Sequence, residues 1–416
     1  MDEIKLIPQD ELDNRLKAFR LNMTDYDPEW SLAVIMSKVN LYYFTGTLQN
    51  GVLIIPRDKP ATFFVRRSFE RAMMESSFDD IRSMTSFRDI PSNFWTTKDA
   101  YIETERIPLA HYARLNKYSN FENIKSVDNI VLKTRSIKSK LEIDFMRHAG
   151  SIQADIMENI VPNVLRTGMT ETDLASHIQQ AFLQQGCHGV CRVRSFGGEL
   201  YLGQVCFGES ALYPNPFNGP GGVRGLSPAA PFFASHKRKL KDVDIISADC
   251  GANFHGYHTD KTVTYAYGAP LSEKAMDAQK RCLEIQLEAR DMLKPGVVAE
   301  EVYKSIIAKQ PKDFLDSFMG IGSSQVKFLG HGVGLEIDEF PVITSKWPDL
   351  IEENMVIAIE PKSWIAGEGN VGTENTFLIT PSGGESITGN ENSFINVSSC
   401  GTIDRTIAEH AKHGER

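Results

Sequence analysis

Asp249 and Asp260 bound the stretch that most constrains how this chain can fold. Residues 243–248 before it are rich in apolar side chains, and residues 262–265 after it alternate and are rich in β-branched side chains. Both compositions are typical of strands, so the sequence predicts a hairpin with a tight turn at residues 254–255. The two aspartates would then face each other across the ladder, with Cβ atoms about 5 Å apart.

Two aspartates at that separation repel each other unless positive charge lies between them. A pair of divalent metal ions about 3.5–4 Å apart would supply that charge. The alternative, from these two residues alone, is an exposed aspartate pair at the mouth of a loop. The choice depends on whether the rest of the chain offers further metal ligands.

Length and composition limit the class of protein. A chain of 416 residues exceeds a typical single core, so we expect two domains. The net charge of −9 argues against nucleic acid as the main partner, because a phosphate backbone demands clustered Lys and Arg. No stretch approaches the roughly 20 apolar residues needed to cross a membrane. The first residues lack an apolar signal-peptide core, and the six cysteines are scattered, so we expect a cytoplasmic protein with reduced thiols.

The periodicity of the sequence divides into two parts. Residues 1–132 alternate between predicted helices, such as 10–28, and predicted strands, which is typical of an α/β domain. The strand-like runs are 32–36, 41–44, 51–55 and 61–65. A polar, basic segment at 132–140 is predicted to be a linker. Residues 133–416 begin with helices and include a long loop at 196–236 that is rich in Gly, Pro and Ser but also in aromatic residues.

Three later segments carry the residue types that a metal pair needs. His331 lies among glycines, Glu360 ends an apolar run, and Glu374 opens a predicted strand. Carboxylates are almost never buried unless they are paired, so Glu360 at the end of an apolar run is expected to have a partner for its charge. Together with the two aspartates these residues form a hard, oxygen-rich set that suits Mn²⁺, Fe²⁺, Co²⁺ or Zn²⁺.

The ordered set resembles the metallopeptidase family that includes methionine aminopeptidase, aminopeptidase P, prolidase and the metal-free creatinase. Residues 40–46 resemble the N-terminal domain of the aminopeptidase P, prolidase and creatinase branch, and residues 137–143 resemble the helix that opens its catalytic domain. The resemblance implies an α+β protein: a creatinase-like α/β domain over 1–132, then a pita-bread domain over 133–416, a curved antiparallel sheet flanked by helices. It also implies a homodimer, and two divalent ions bound by Asp249, Asp260, His331, Glu360 and Glu374.

The chain departs from the family pattern around those five positions. Asp338 stands where the peptidases usually carry a second histidine, Lys327 replaces another histidine, and Gly372 replaces an arginine. Beside two cations the pKa of Asp338 is expected to be low. Strand alternation places His258 on the face of Asp260, so it is our candidate for contacting substrate in place of a lost histidine.

The resemblance predicts a metal-dependent Xaa-Pro aminopeptidase or dipeptidase that acts on small peptides. Glu360 would take a proton from a metal-activated water, and Asp338 would assist. The alternative is a non-peptidase member of the same fold in which Asp338 is the base. It would be a C–N hydrolase like creatinase, or an enzyme that catalyses an elimination as DMSP lyases do. Its small cationic substrate would be covered by the aromatic residues of 201–233. A binding protein without activity is disfavoured, because all five ligand positions are retained.

Overall fold

The computed structural model describes residues 5–398 and 403–404. The chain divides into two compact units, Met1–Arg135 and Ser136–Arg416. The charged tail at 404–416, for which the sequence predicts a surface helix or a frayed end, lies outside the described residues except for the backbone of Asp404. Within the described ranges, no helix combines the length and the apolar character needed to cross a membrane.

The first unit is a mixed sheet with helices, as the alternating sequence pattern predicts. Its sheet has the strand order β4-β3-β2-β1-β5-β6, with both antiparallel and parallel pairs. Its strands are β1 (Leu32–Ile35), β2 (Gly51–Pro56), β3 (Thr62–Val65), β4 (Ile81–Ser83), β5 (Asp99–Ile102) and β6 (Asn123–Ser126). Its helices are α1 (Gln9–Tyr26), α2 (Lys38–Thr45), α3 (Phe69–Glu75), α4 (Leu109–Ser119) and α5 (Asp128–Ser136).

Two predictions for this region are wrong. The run at 41–44, predicted as a strand, lies in α2, which ends at Gly46 with φ of +74°. A short run of large apolar residues is compatible with either a strand or a helix. The sign of a helix here is Gly46, whose left-handed conformation is typical of a helix end. The predicted linker at 132–140 begins inside α5. Arg135 is buried there because its Nη1 donates to Asn40 Oδ1 at 2.7 Å.

The second unit contains two five-stranded sheets, with the orders β18-β17-β9-β8-β7 and β11-β10-β12-β15-β16, and the hairpin β13-β14. The first group of its strands is β7 (Gly203–Phe207), β8 (Asp244–Phe254), β9 (Tyr257–Tyr267), β10 (Phe328–Gly332), β11 (Glu339–Thr344) and β12 (Val356–Ile359). The others are β13 (Lys362–Ile365), β14 (Gly369–Gly372), β15 (Asn375–Thr380), β16 (Gly383–Ser386), β17 (Phe394–Val397) and β18 (Ile403–Asp404). All the pairs are antiparallel except β9 with β17.

Helices supply the apolar faces that cover these sheets. They are α6 (Lys140–Asp155), α7 (Val161–Val164), α8 (Glu171–Gln184), α9 (Glu273–Met292), α10 (Ala299–Ala308) and α11 (Lys312–Leu315). The capping box predicted at Thr170 and Asp173 is present, and α6 begins with a second one at Ser139 and Glu142. One core cluster joins α6 and α8 to β8 and β9, and another joins α9 and α10 to β10, β12 and β15.

The long loop predicted at 196–236 is only partly a loop. It contains β7, which pairs with β8, so that Gln204 lies opposite Asp249. The glycine and proline residues around β7 made this segment look like a loop in the sequence. It is a five-residue strand whose last four residues are buried.

The hairpin β8-β9 carries the aspartates of the opening stretch, but its register differs from the prediction. The turn is at His255 and Gly256, which have φ of +48° and +92°, as a two-residue hairpin turn requires. Asp249 therefore pairs with Thr262, and Asp260 pairs with Gly251. The two aspartates are diagonal neighbours on one face, and such pairs are about 7–8 Å apart rather than directly opposed.

We predict that Gly150→Ala in α6 destabilises the protein, although alanine is the better helix former. A Cβ at this position would lie 1.9 Å from the backbone oxygen of Ile387. Overpacking of this kind costs about 1–3 kcal/mol, so the midpoint of thermal unfolding should fall by several degrees. The control is Ser151→Ala on the exposed side of the same helix. An unchanged or higher midpoint for Gly150→Ala would contradict the close helix-to-backbone contact.

Candidate metal centre

The five predicted ligand residues come from five different strands or strand ends, and the fold brings them together. Asp249 lies in β8 and Asp260 in β9, while His331 lies in β10. Glu360 directly follows β12, and Glu374 directly precedes β15. Their donor atoms form two groups, each within 4.8 Å, and both groups include Glu374.

The site lies where the two large sheets of this unit meet. An isolated antiparallel bridge joins Thr262 of β9 to Glu374, through backbone hydrogen bonds of 3.3 Å in both directions. The hydroxyl of Thr262 also donates to Glu374 Oε2 at 2.7 Å. Next to it, the hydroxyl of Thr376 accepts from the N–H of Asp260 and donates to its carbonyl, both at 2.8 Å. These contacts fix two of the carboxylates relative to each other across the sheet junction.

The first group consists of Asp260, His331 and Glu374. His331 Nε2 lies 3.4 Å from Glu360 Oε1 and 4.0 Å from Glu374 Oε1. Glu374 is completely buried, and its Oε1 has no hydrogen-bond partner among the described residues. A buried, unpaired carboxylate oxygen is costly, and a cation bound by this group would satisfy it. The first group therefore fits a divalent ion in both chemistry and geometry.

The second group consists of Asp249, Glu360 and Glu374, and it already contains a cation. Lys362 Nζ donates to Asp249 Oδ2 and Glu360 Oε2 at 2.9 Å each, and to Glu374 Oε2 at 3.1 Å. Lys362 is not among the residues predicted from the sequence. The available signal was its place two residues after Glu360, which puts both side chains on one face of an extended segment.

The charges of these groups compensate one another. Burial raises the pKa of Asp260 to about 8, and the charge of Asp249 adds to the increase. Burial lowers the pKa of His331, but Glu360, Asp260 and Glu374 more than offset this and raise it to about 10. Burial also lowers the pKa of Lys362, but the surrounding carboxylates raise it well above its ordinary value. Lys362 is therefore a permanent cation at physiological pH.

Asp338 is half-buried beside this centre, and its Oδ1 accepts from the backbone N–H of Arg194 at 2.8 Å. Burial raises the pKa of its carboxyl, while the Arg194 hydrogen bond and the charge of His331 lower it by less. This direction holds for the protein without bound cations, so the low pKa expected beside two metal ions stays a prediction. A raised pKa makes Asp338 a better proton acceptor near neutral pH than an ordinary aspartate.

Both ring nitrogens of His258 have partners within the fold, which gives no support to its predicted role as a substrate contact. Its side chain is completely buried. Its Nε2 accepts from the N–H of Arg192 at 3.2 Å, and its Nδ1 lies 3.1 Å from the carbonyl oxygen of Gly334. Burial lowers its pKa to about 4, so the ring is neutral. Strand alternation identified its face of the hairpin but could not show that β8-β9 is covered there by other segments.

Two other departures from the family pattern have a physical account. Lys327 is exposed directly before β10. Gly372 pairs with Lys362 in the hairpin β13-β14. A Cβ at Gly372 would lie 2.5 Å from the backbone oxygen of Pro361 and 2.9 Å from Cγ of Lys362, so an arginine cannot be accommodated here.

Comparison with known proteins agrees with this architecture. The family described as "Metallopeptidase family M24" matches residues 144–381, and "Creatinase/Prolidase N-terminal domain" matches residues 15–137. The chain is 28% identical over 359 residues to the Xaa-Pro dipeptidase of Pyrococcus furiosus, a match that covers 86% of this chain and 93% of that protein. It is also 27% identical over 371 residues to the Xaa-Pro dipeptidase of Pyrococcus horikoshii, covering 87% and 94%.

Solved structures give the same result. The prolidase from Pyrococcus horikoshii superposes with a TM-score of 0.72 at 25% identity, covering 90% of this chain and 98% of that one. The prolidase from Pyrococcus furiosus has a TM-score of 0.69 at 26% identity, covering 89% and 99%. The family model matches more than half of the chain, which combines a creatinase-like N-terminal domain with a pita-bread domain. This chain therefore belongs to metallopeptidase family M24.

Proposed function

We propose that this chain is a metal-dependent peptidase that hydrolyses the bond between a residue and a following proline in dipeptides or short peptides. The observation that carries the proposal is the junction of the two sheets, where four carboxylates and one histidine form two ligand groups that share Glu374. Among the described residues, Glu374 Oε1 has no hydrogen-bond partner. Support for the substrate class comes from relatives named Xaa-Pro dipeptidase that match this chain over most of both lengths.

The ion that the proposal requires would be held by Asp260, His331 and Glu374. Bound there, a divalent ion such as Mn²⁺, Fe²⁺, Co²⁺ or Zn²⁺ would supply a Lewis acid that lowers the pKa of water and polarises a carbonyl. The sequence predicts a second ion, and the residues for it are Asp249, Glu360 and Glu374. The Lys362 ammonium is hydrogen-bonded to all three of these carboxylates.

Glu360 and Asp338 are the proposed proton-transfer groups. Burial raises the pKa of Glu360, but the charges and hydrogen bonds of Lys362 and His331 lower it overall, so the carboxylate is ionised at neutral pH and can accept a proton. Asp338, with its raised pKa, would accept a proton and return it to the departing amine. The relatives named above are Xaa-Pro dipeptidases and prolidases, so they give no support to the alternative of a lyase or a C–N hydrolase. The homodimer and the cytoplasmic location stay predictions.

We predict that the protein, freed of metal by a chelator and then supplied with Mn²⁺ or Co²⁺, hydrolyses Ala-Pro and Xaa-Pro-Yaa peptides. His331→Ala should lower kcat/KM by more than about 100-fold and reduce the amount of bound metal, because an ion at this group loses its imidazole ligand. The control is His236→Ala at an exposed position. Absence of hydrolysis of every Xaa-Pro peptide by the fully metallated protein would refute the peptidase proposal.

We predict that Asp338→Asn lowers kcat by about 100-fold or more while metal content stays unchanged. An asparagine can still accept the Arg194 hydrogen bond through Oδ1, but it cannot hold a proton at neutral pH. Steady-state kinetics and elemental analysis of the same sample separate the two effects. Asp349→Asn, which changes an exposed aspartate, is the matched control. Near-normal turnover in Asp338→Asn would remove Asp338 from the proton-transfer path.

A further inference from the structure

Lys362 has a position that a surface or structural lysine rarely has. Its side chain is only 1% exposed, and its ammonium contacts three carboxylates that belong to three different parts of the chain. These carboxylates are Asp249, Glu360 and Glu374, which are all the members of the second ligand group. Each of the three N–H donors of a lysine ammonium therefore has one carboxylate oxygen as its partner.

A divalent ion and this ammonium cannot use the second group together. The ammonium nitrogen lies 2.9–3.1 Å from one oxygen of each carboxylate. A first-row metal ion would need the same three carboxylates at about 2.0–2.2 Å, and it would then lie next to a buried positive charge. Like charges at such a distance and in such surroundings repel strongly.

The backbone holds the lysine in place. Lys362 is paired with Gly372 in β13-β14, and its carbonyl accepts from the N–H of Met319 at 2.8 Å. The absence of a side chain at Gly372 leaves room for the stem of Lys362, since a Cβ there would approach Cγ of the lysine to 2.9 Å.

We propose that the Lys362 ammonium takes the place of one of the two metal ions, so that the protein binds a single divalent ion at Asp260, His331 and Glu374. One ammonium and one divalent ion then supply three positive charges against the four carboxylates of the centre. The Glu374 carboxylate serves both cations: Oε2 accepts from the lysine, and Oε1 lies on the side of His331, 4.0 Å from its Nε2. The claim that one ion is bound at Asp260, His331 and Glu374 rests on the proposed function. The claim that Lys362 excludes an ion from the second group does not.

The test compares the number of bound ions in the full chain and in Lys362→Ala. Both are stripped with a chelator, dialysed to equilibrium against Mn²⁺ and analysed for metal and protein. We expect one Mn²⁺ per chain in the unaltered protein and two in Lys362→Ala. Electron paramagnetic resonance should show isolated Mn²⁺ in the first case and a magnetically coupled pair in the second, because paired ions would be about 3.5–4 Å apart.

The matched control is Lys261→Gln. Lys261 is equally buried, but its ammonium contacts Asn375, Ser393, the carbonyl of Asn390 and, at 3.3 Å, the Glu158 carboxylate. In the described part of the chain, the ammonium has no hydrogen bond or ion pair with the five ligand residues. Its substitution should leave the Mn²⁺ count unchanged. Removal of Lys362 leaves three carboxylates without their cation, so Lys362→Ala should also gain more thermal stability from Mn²⁺ than the unaltered protein does. Lys362→Ser, with a small polar side chain, replaces the alanine variant if the latter does not fold.

An equal count of bound Mn²⁺ in the folded Lys362 variant and the unaltered protein would overturn the inference. Two ions per chain in the unaltered protein would overturn it as well. A different outcome separates it from the proposed function: no ion in the unaltered protein and one in Lys362→Ala would refute metal dependence while supporting exclusion of an ion by the lysine.

Discussion

Four carboxylates gathered at one sheet junction are the constraint on which the second unit depends. Like charges this close cannot all be ionised in a buried place without compensating cations. The protein supplies part of that compensation itself, through the Lys362 ammonium and the raised pKa of His331. Within the described residues, Glu374 Oε1 is left without a hydrogen-bond partner, which is where the proposed ion would add positive charge.

The packing of this unit keeps those groups together. The two five-stranded sheets each have their own helices and their own apolar core. The five ligand residues are divided between these sheets, so neither sheet could place all five alone. The bridge between Thr262 and Glu374 and the hydrogen bonds of Thr376 to Asp260 join the sheets at the ligands themselves. The geometry of the centre is thus set by backbone contacts on rigid strands, which position chemical groups better than loops do.

Membership of metallopeptidase family M24 explains the architecture but leaves the local chemistry to this chain's own residues. Without a bound cation, burial raises the pKa of the Asp338 carboxyl. Gly372 and Lys362 depend on each other, since the first makes room for the second. A lysine in a carboxylate cluster changes both the charge of the centre and the number of ions it can hold.

The sequence by itself determined the two-part organisation, most of the helices and strands, and the five residues that the fold gathers. Periodicity, capping residues such as Thr170, and the ordered Asp, Asp, His, Glu, Glu set are local signals. Only the tertiary structure decided the register of the hairpin, in which the direct partner of Asp249 is Thr262 and not Asp260. It also decided that His258 is covered and that Lys362 is enclosed by carboxylates. The hairpin register follows from the two-residue turn at His255 and Gly256. The burial of His258 and the enclosure of Lys362 depend instead on which segments lie against a side chain, and that is a property of long-range packing rather than of neighbours in the sequence.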